Sequence, residues 1–128
     1  MKPLEPTPEF RSPFLRDLQE RGSVAQCTDA AALDELMLAG PVTAYVGFDA
    51  TADSLHVGHL VLLMAMRRLA SAGHEVIALI GGATTMVGDP SFRNAARPML
   101  QPADVASNAA SIRRNIEAVA GPFSGRVR

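Results

Sequence analysis

Two histidines three residues apart, His56 and His59, stand in a stretch that also carries Gly47, Asp49, Thr51, Asp53, Ser54 and Gly58. A β-branched, aromatic run precedes the stretch and an apolar helical pattern follows it, so these residues fall where a strand ends and a helix begins. Three-residue spacing puts both imidazoles on one face of the first helical turn, and Gly58 between them leaves the backbone open to close approach. A helix N-terminus offers unpaired N–H groups and the positive end of the macrodipole. Two imidazole donors beside it make a site shaped for a polyphosphate, with ATP the natural candidate. A bare histidine pair is more simply a cap and a solvated side chain; the place after an apolar strand favours the functional reading. No metal site is expected at the pair, because zinc-binding histidines on a helix are usually four apart and no third ligand is near.

The elements that must position this stretch can be read in order. Met1–Ser12 is proline-rich and is expected to be a mobile extension. From Pro13 a short one-face helix carries Phe14, Leu15 and Leu18 and stops before Gly22. Thr28-Asp29 cap a second helix with Leu33, Leu36 and Met37 at helical spacing, closed by Gly40-Pro41. Residues 42–48 read as a first strand and 75–80 as a second, both short apolar runs of the kind buried in parallel sheets. Between them a helix runs from near His56 to Ala72, with Gly73 as its stop. Strand, helix, strand is a βαβ unit with a right-handed crossover. Turn-rich residues 81–97 form a loop. A last helix fits Pro102–Val119, where Val105, Ala109, Ile112, Ile116 and Val119 share a face, and no strand is expected after it. The fold class is α/β, the front half of a Rossmann-like doubly wound parallel sheet. Ligands in such folds collect outside the carboxyl ends of the strands, so residues 45–59 and 81–97 are the loops that matter.

Composition narrows the function classes. The 128 residues hold 12 Lys+Arg against 13 Asp+Glu, a net charge of −1, which leaves no basic footprint for nucleic-acid binding through a charged face. The single cysteine, Cys27, cannot close an intrachain disulfide, which suits a reducing, cytoplasmic setting. No signal peptide or membrane span is expected. Residues 13–128 are read as one domain.

His-x-Gly-His opening a helix directly after an apolar strand is shared by class I aminoacyl-tRNA synthetases and related nucleotidyltransferases. The wording from Tyr45 through Val46-Gly47-Phe48-Asp49-Ala50-Thr51-Ala52-Asp53-Ser54-Leu55-His56-Val57-Gly58 to His59 narrows this further. With Gly73-His74, Gly81-Gly82-Ala83-Thr84 and Gly88-Asp89-Pro90-Ser91 it resembles the bacterial tyrosyl-tRNA synthetases over roughly residues 14–123. The tryptophanyl enzymes share the fold but not the Tyr45-to-Ser54 wording. The resemblance implies attack of the tyrosine carboxylate on the α-phosphate of ATP, loss of pyrophosphate, and transfer of the tyrosyl group to tRNA(Tyr). Such enzymes act by positioning and electrostatic stabilisation. By position, Thr51 and His56 would hold the γ-phosphate, His59 and Gly47 the ribose, and Asp49 would sit by the α-phosphate. Tyr45 would meet the substrate phenol, Thr84 and Asp89 its ammonium, and Arg93 and Arg97 the departing pyrophosphate.

The resemblance also implies ATP as substrate with Mg²⁺, although Asp49 and Asp53 are more simply loop carboxylates than ion ligands. A homodimer and tRNA contacts lying mostly outside this span are implied as well. Four departures stand out. Val46 replaces a frequent cysteine and Leu62 a threonine, Thr85 a glycine, and Arg93 a lysine. Members of the family run well past residue 128, so residues 13–128 are expected to be the amino-terminal, truncated part of the catalytic domain, inactive alone. A small nucleotidyltransferase with the same histidine motif and a non-catalytic nucleotide-binding remnant are the alternatives.

Overall fold

In the computed structural model the described residues are 9–82, 101–120 and 126–127. Pro13, with its fixed φ, opens α1 (Pro13–Glu20). The Asp29 side chain accepts from the Ala32 amide at 3.0 Å and caps α2 (Ala30–Ala39). Then come β1 (Thr43–Asp49), α3 (Val57–Ser71), β2 (Glu75–Gly81), α4 (Pro102–Ala120) and β3 (Arg126–Val127). Gly73, at φ +89°, makes the left-handed turn that a Cβ would strain and lets α3 fold straight into β2.

The three strands form one parallel sheet in the order β1-β2-β3. β1 and β2 pair from Thr43 opposite Glu75 to Asp49 opposite Gly81, so the two strands end level. His74 fixes the other end: its Nδ1 accepts from the Val42 amide at 3.1 Å, and its ring meets Phe14 edge-on at 6.4 Å. The core lies on one face of the sheet. Phe48, Val76 and Ala78 from the strands pack with Leu63, Met66 and Leu69 of α3 and Val105, Ile112 and Ile116 of α4. Asp17 ties α1 to α3 through Arg68 at 3.0 Å.

The structure departs from the sequence reading at four places. β3 is a strand that was not expected. It is two residues long and lies parallel to β2, with Ile77 opposite Arg126, too short to give a periodic signal. The order expected to begin at Pro13 begins earlier, since Phe10 is buried and Ser12 fully so. Residues 1–8 lie outside the described residues. The strands are not buried on both faces, for Tyr45 is 72% exposed and Leu79 39%. In α2, Leu36 is exposed while Asp34 is buried.

Asp34 holds the backbone of Arg11 and Ser12, while the Phe10 amide donates to Gln19 Oε1 at 3.1 Å. The Asp34 carboxylate accepts from the amides of Arg11 at 3.1 Å and Ser12 at 2.8 Å. The Ser12 hydroxyl and these amides hold the carboxyl down to about 2, below the ordinary 3.8, against a burial that pushes it up. Among the described residues the hydroxyl makes no well-aligned hydrogen bond, so the two amides are the firm contacts. A depressed carboxyl stabilises the fold above its unfolded value and loses that contribution as pH falls through the folded one. Asp34→Asn is therefore expected to lower the melting temperature at pH 7. The gap from wild type should narrow between about pH 4 and 2; a gap constant over that window would show that the charge of Asp34 is not what holds Arg11 and Ser12.

Candidate functional site

Because β1 and β2 stop level, the chain leaving β1 must turn over their ends before α3 can begin. The turn, residues 50–56, roofs a cleft of about 670 Å³, within the 300–1,000 Å³ range of small-molecule sites. Its walls include Gly47, Asp49, Thr51, His56 and His59. The opposite wall is Leu79, Ile80 and Gly81 at the end of β2, with Leu62 of α3. Five residues singled out in the sequence thus come together. Tyr45 does not line the cleft; it lies two residues back on β1, on the same exposed face as Gly47 and Asp49. Of the departures, Leu62 lines the cleft, whereas Val46 packs towards the core. Thr84, Thr85, Asp89, Arg93 and Arg97 lie outside the described residues.

The two histidines are locked to each other. His56 is the N-cap of α3, and its Nδ1 accepts from the Gly58 amide at 3.1 Å. His59 Nδ1 accepts in return from the His56 amide at 3.2 Å, a capping box built from imidazoles. The rings lie 4.0 Å apart between centroids, and His59 also sits 6.1 Å from the buried ring of Phe48. A ring that accepts at Nδ1 carries its neutral-form proton at Nε2. Among the described residues nothing takes either Nε2–H, so each histidine keeps one N–H donor.

This corrects two details of the sequence reading. The Gly58 amide is not open to a ligand, since His56 takes it, and the His59 amide donates to the His56 carbonyl at 2.9 Å. The space beside Gly58 is filled as well: a Cβ there would lie 2.8 Å from His56 Cε1 and 3.0 Å from Nδ1. The absent side chain makes room for the histidine ring.

Sequence reasoning missed two residues. Asn108 Nδ2 donates to the Ala50 carbonyl at 2.9 Å, and Asn115 Oδ1 accepts from the Leu55 amide at 3.1 Å. Both lie on α4, where the apolar stripe dominates the sequence pattern. Two asparagines seven residues apart, two turns along one face, were the available signal.

The family model for class I tRNA synthetases (W and Y) matches residues 37–123. This chain belongs to that family. Among curated relatives, the tyrosine–tRNA ligase of Gluconobacter oxydans (strain 621H) is 56% identical over 106 residues, 83% of this chain and 26% of the relative. That of Anaplasma marginale (strain St. Maries) is 55% identical over 104 residues, 81% of this chain and 25% of the relative. The crystal structure of a C-terminally truncated Aspergillus nidulans mitochondrial tyrosyl-tRNA synthetase matches with a TM-score of 0.74 at 34% identity. It covers 81% of this chain and 29% of that one. The chain thus spans about a quarter of the length of the curated relatives it matches, and the α/β sheet is that of a class I synthetase nucleotide-binding fold.

For this synthetase span, Gly58→Ala separates geometry from stability. Alanine gains about 1 kcal/mol of helix propensity, close to the roughly 0.5–2 kcal/mol lost with a cap. The melting temperature is expected to stay within about 4 °C of wild type, while the His56 ring swings off the residue-58 amide. Amide hydrogen exchange at residue 58 checks this, and an amide as protected as in wild type would contradict it.

Proposed function

We propose that this chain carries the nucleotide-facing half of a tyrosine-activating site, in a protein that makes tyrosyl-adenylate from tyrosine and ATP and charges tRNA(Tyr). The observation that carries the proposal is the mutually capped His56–His59 pair, each ring with an Nε2–H donor to spare, on a nucleotide-sized cleft at the ends of two parallel strands. The names and identities of the curated relatives support tyrosine as the amino acid.

The reaction joins a tyrosine carboxylate oxygen to the α-phosphorus and breaks the bond to pyrophosphate, so negative charge shifts onto the leaving group. Donors already aimed at that charge lower the barrier without reorganising. His56 Nε2–H and the Thr51 hydroxyl serve the γ-phosphate end. His59 and Gly47 face the ribose, where a missing Cβ at Gly47 permits close approach; a built Cβ there meets nothing within 4 Å. Asp49, at the end of β1, sits by the α-phosphate. The exposed Tyr45 hydroxyl meets the substrate phenol. Thr84 and Asp89 are assigned to the ammonium, where Asp89 gives a charge-assisted bond, and Arg93 and Arg97 to the pyrophosphate. Mg²⁺, bound with ATP, would act as its counter-ion and screen its phosphates. Among the described residues no three His, Cys, Asp or Glu side chains group to hold an ion of their own. No described helix is long and apolar enough to cross a membrane. Under the same proposal the enzyme is cytoplasmic and the complete protein a homodimer.

The 128 residues alone are expected not to charge tRNA(Tyr), because they supply one wall of the site; charging at the rate of a complete enzyme would refute this. The activity is measured as tyrosine-dependent ATP–pyrophosphate exchange by the protein purified from its source cells. There His56→Asn is the informative change. Asparagine is a good N-cap, so stability should hold, while loss of the Nε2–H donor should lower kcat roughly 10²-fold with the KM for tyrosine little changed. An unchanged kcat would remove His56 from the chemistry.

A further inference from the structure

The roof of the cleft is held at both ends by α4. Ala50, fully buried, begins the turn and Leu55 precedes the His56 cap. The Ala50 carbonyl is met by the Asn108 amide nitrogen, and the Leu55 N–H meets the Asn115 amide oxygen. These bonds span 58 and 60 residues of sequence, and both partners sit half-buried on α4 beside Ile112 and Ile116. The seven-residue spacing rises about 10.5 Å along the helix, enough to reach two separate points of the turn. Thr51, Ala52 and Ser54, all lining the cleft, lie between those points.

We propose that Asn108 and Asn115 are positioning residues, a two-point clamp by which α4 fixes Thr51 and His56 over the ends of β1 and β2 for the activation step. The inference rests on the activity proposed above, and it makes α4 part of the site without touching the ligand. The chemistry of the two points is opposite. At 108 a carbonyl must be met by a donor; at 115 an N–H must be met by an acceptor. Each asparagine amide is turned accordingly. Aspartate, of nearly the same shape, can only accept when ionised. It keeps the contact at 115 and sets a carboxylate against a carbonyl at 108. A side chain that merely covered the helix surface would respond alike at both positions.

The test uses Asn108→Asp, Asn115→Asp and Asn115→Leu. In the 128-residue chain, amide exchange at Leu55 is expected to be slow in wild type and in Asn115→Asp. It should speed up roughly tenfold or more in Asn115→Leu, the equivalent of losing one hydrogen bond. In the protein from its source gene, Asn108→Asp and Asn115→Leu are expected to lower kcat for ATP–pyrophosphate exchange roughly tenfold to a hundredfold. The KM for tyrosine should stay within about threefold, given that a changed kcat at unchanged KM marks a transition-state effect. Asn115→Asp should exchange pyrophosphate nearly as wild type. An unprotected Leu55 amide in wild type, or Asn108→Asp and Asn115→Asp behaving alike in rate, overturns the clamp. Should Asn115→Leu unfold, the two aspartate variants still decide. A wild-type protein without tyrosine-dependent exchange, but with the Leu55 amide responding as stated, defeats the proposed activity and leaves the clamp standing.

Discussion

Parallel pairing of β1 and β2 is the constraint from which the site follows. Parallel neighbours need a crossover connection, and here α3 is that connection, entered from the end where both strands stop, at Asp49 and Gly81. The N-terminus of α3 has to lie above those ends. His56 and His59 occupy its first turn, so the register that pairs Phe48 with Ile80 also brings two imidazoles over one cleft. At the other end of the strands, His74 and the Glu75 amide, which donates to the Val42 carbonyl at 2.9 Å, hold the same register. A slip of one residue would turn Phe48 out of the core and carry Gly47 inward.

Much of this was legible in the sequence because it is local. Pro13, Asp29, Gly73 and the helical stripes mark element ends and faces through interactions within a turn or two, and the observed ends fall within a residue or two of those read. The cleft residues Gly47, Asp49, Thr51, His56 and His59 were legible because they fill one short segment between a strand and a helix. What escaped depends on distant partners. Arg11 and Ser12 are held by Asp34, more than twenty residues away, and Phe10 by the core and the Gln19 side chain, and nothing near them in the chain announces it. Asn108 and Asn115 stand among apolar neighbours whose periodicity is the louder signal. β3 is defined only by the strand beside it.

The histidine pair shows one arrangement that satisfies a helix start and orients two rings at once. Each ring gives its Nδ1 to the backbone, which is how the helix start is satisfied, and that fixes where the neutral-form proton sits. A capping histidine and one that faces the cleft, alternatives when the residues are read alone, are compatible here, since both rings cap the helix and both line the cleft. Gly58 belongs to the same unit, because its missing side chain is the space that the His56 ring occupies.

The long reach from Leu55 to Asn115 also bears on how the chain is made. The turn over the cleft leaves the ribosome 60 residues ahead of its second tether, which at about 5–20 residues per second is a delay of roughly 3–12 s. During that interval the strand and helix beside it can form from local contacts, while the two ends of the turn have nothing from α4 to hold them. The turn over the cleft thus gains its second contact with α4 only once residue 115 has been made, and a nascent chain paused before that point has His56 and His59 without the Leu55–Asn115 bond beside them.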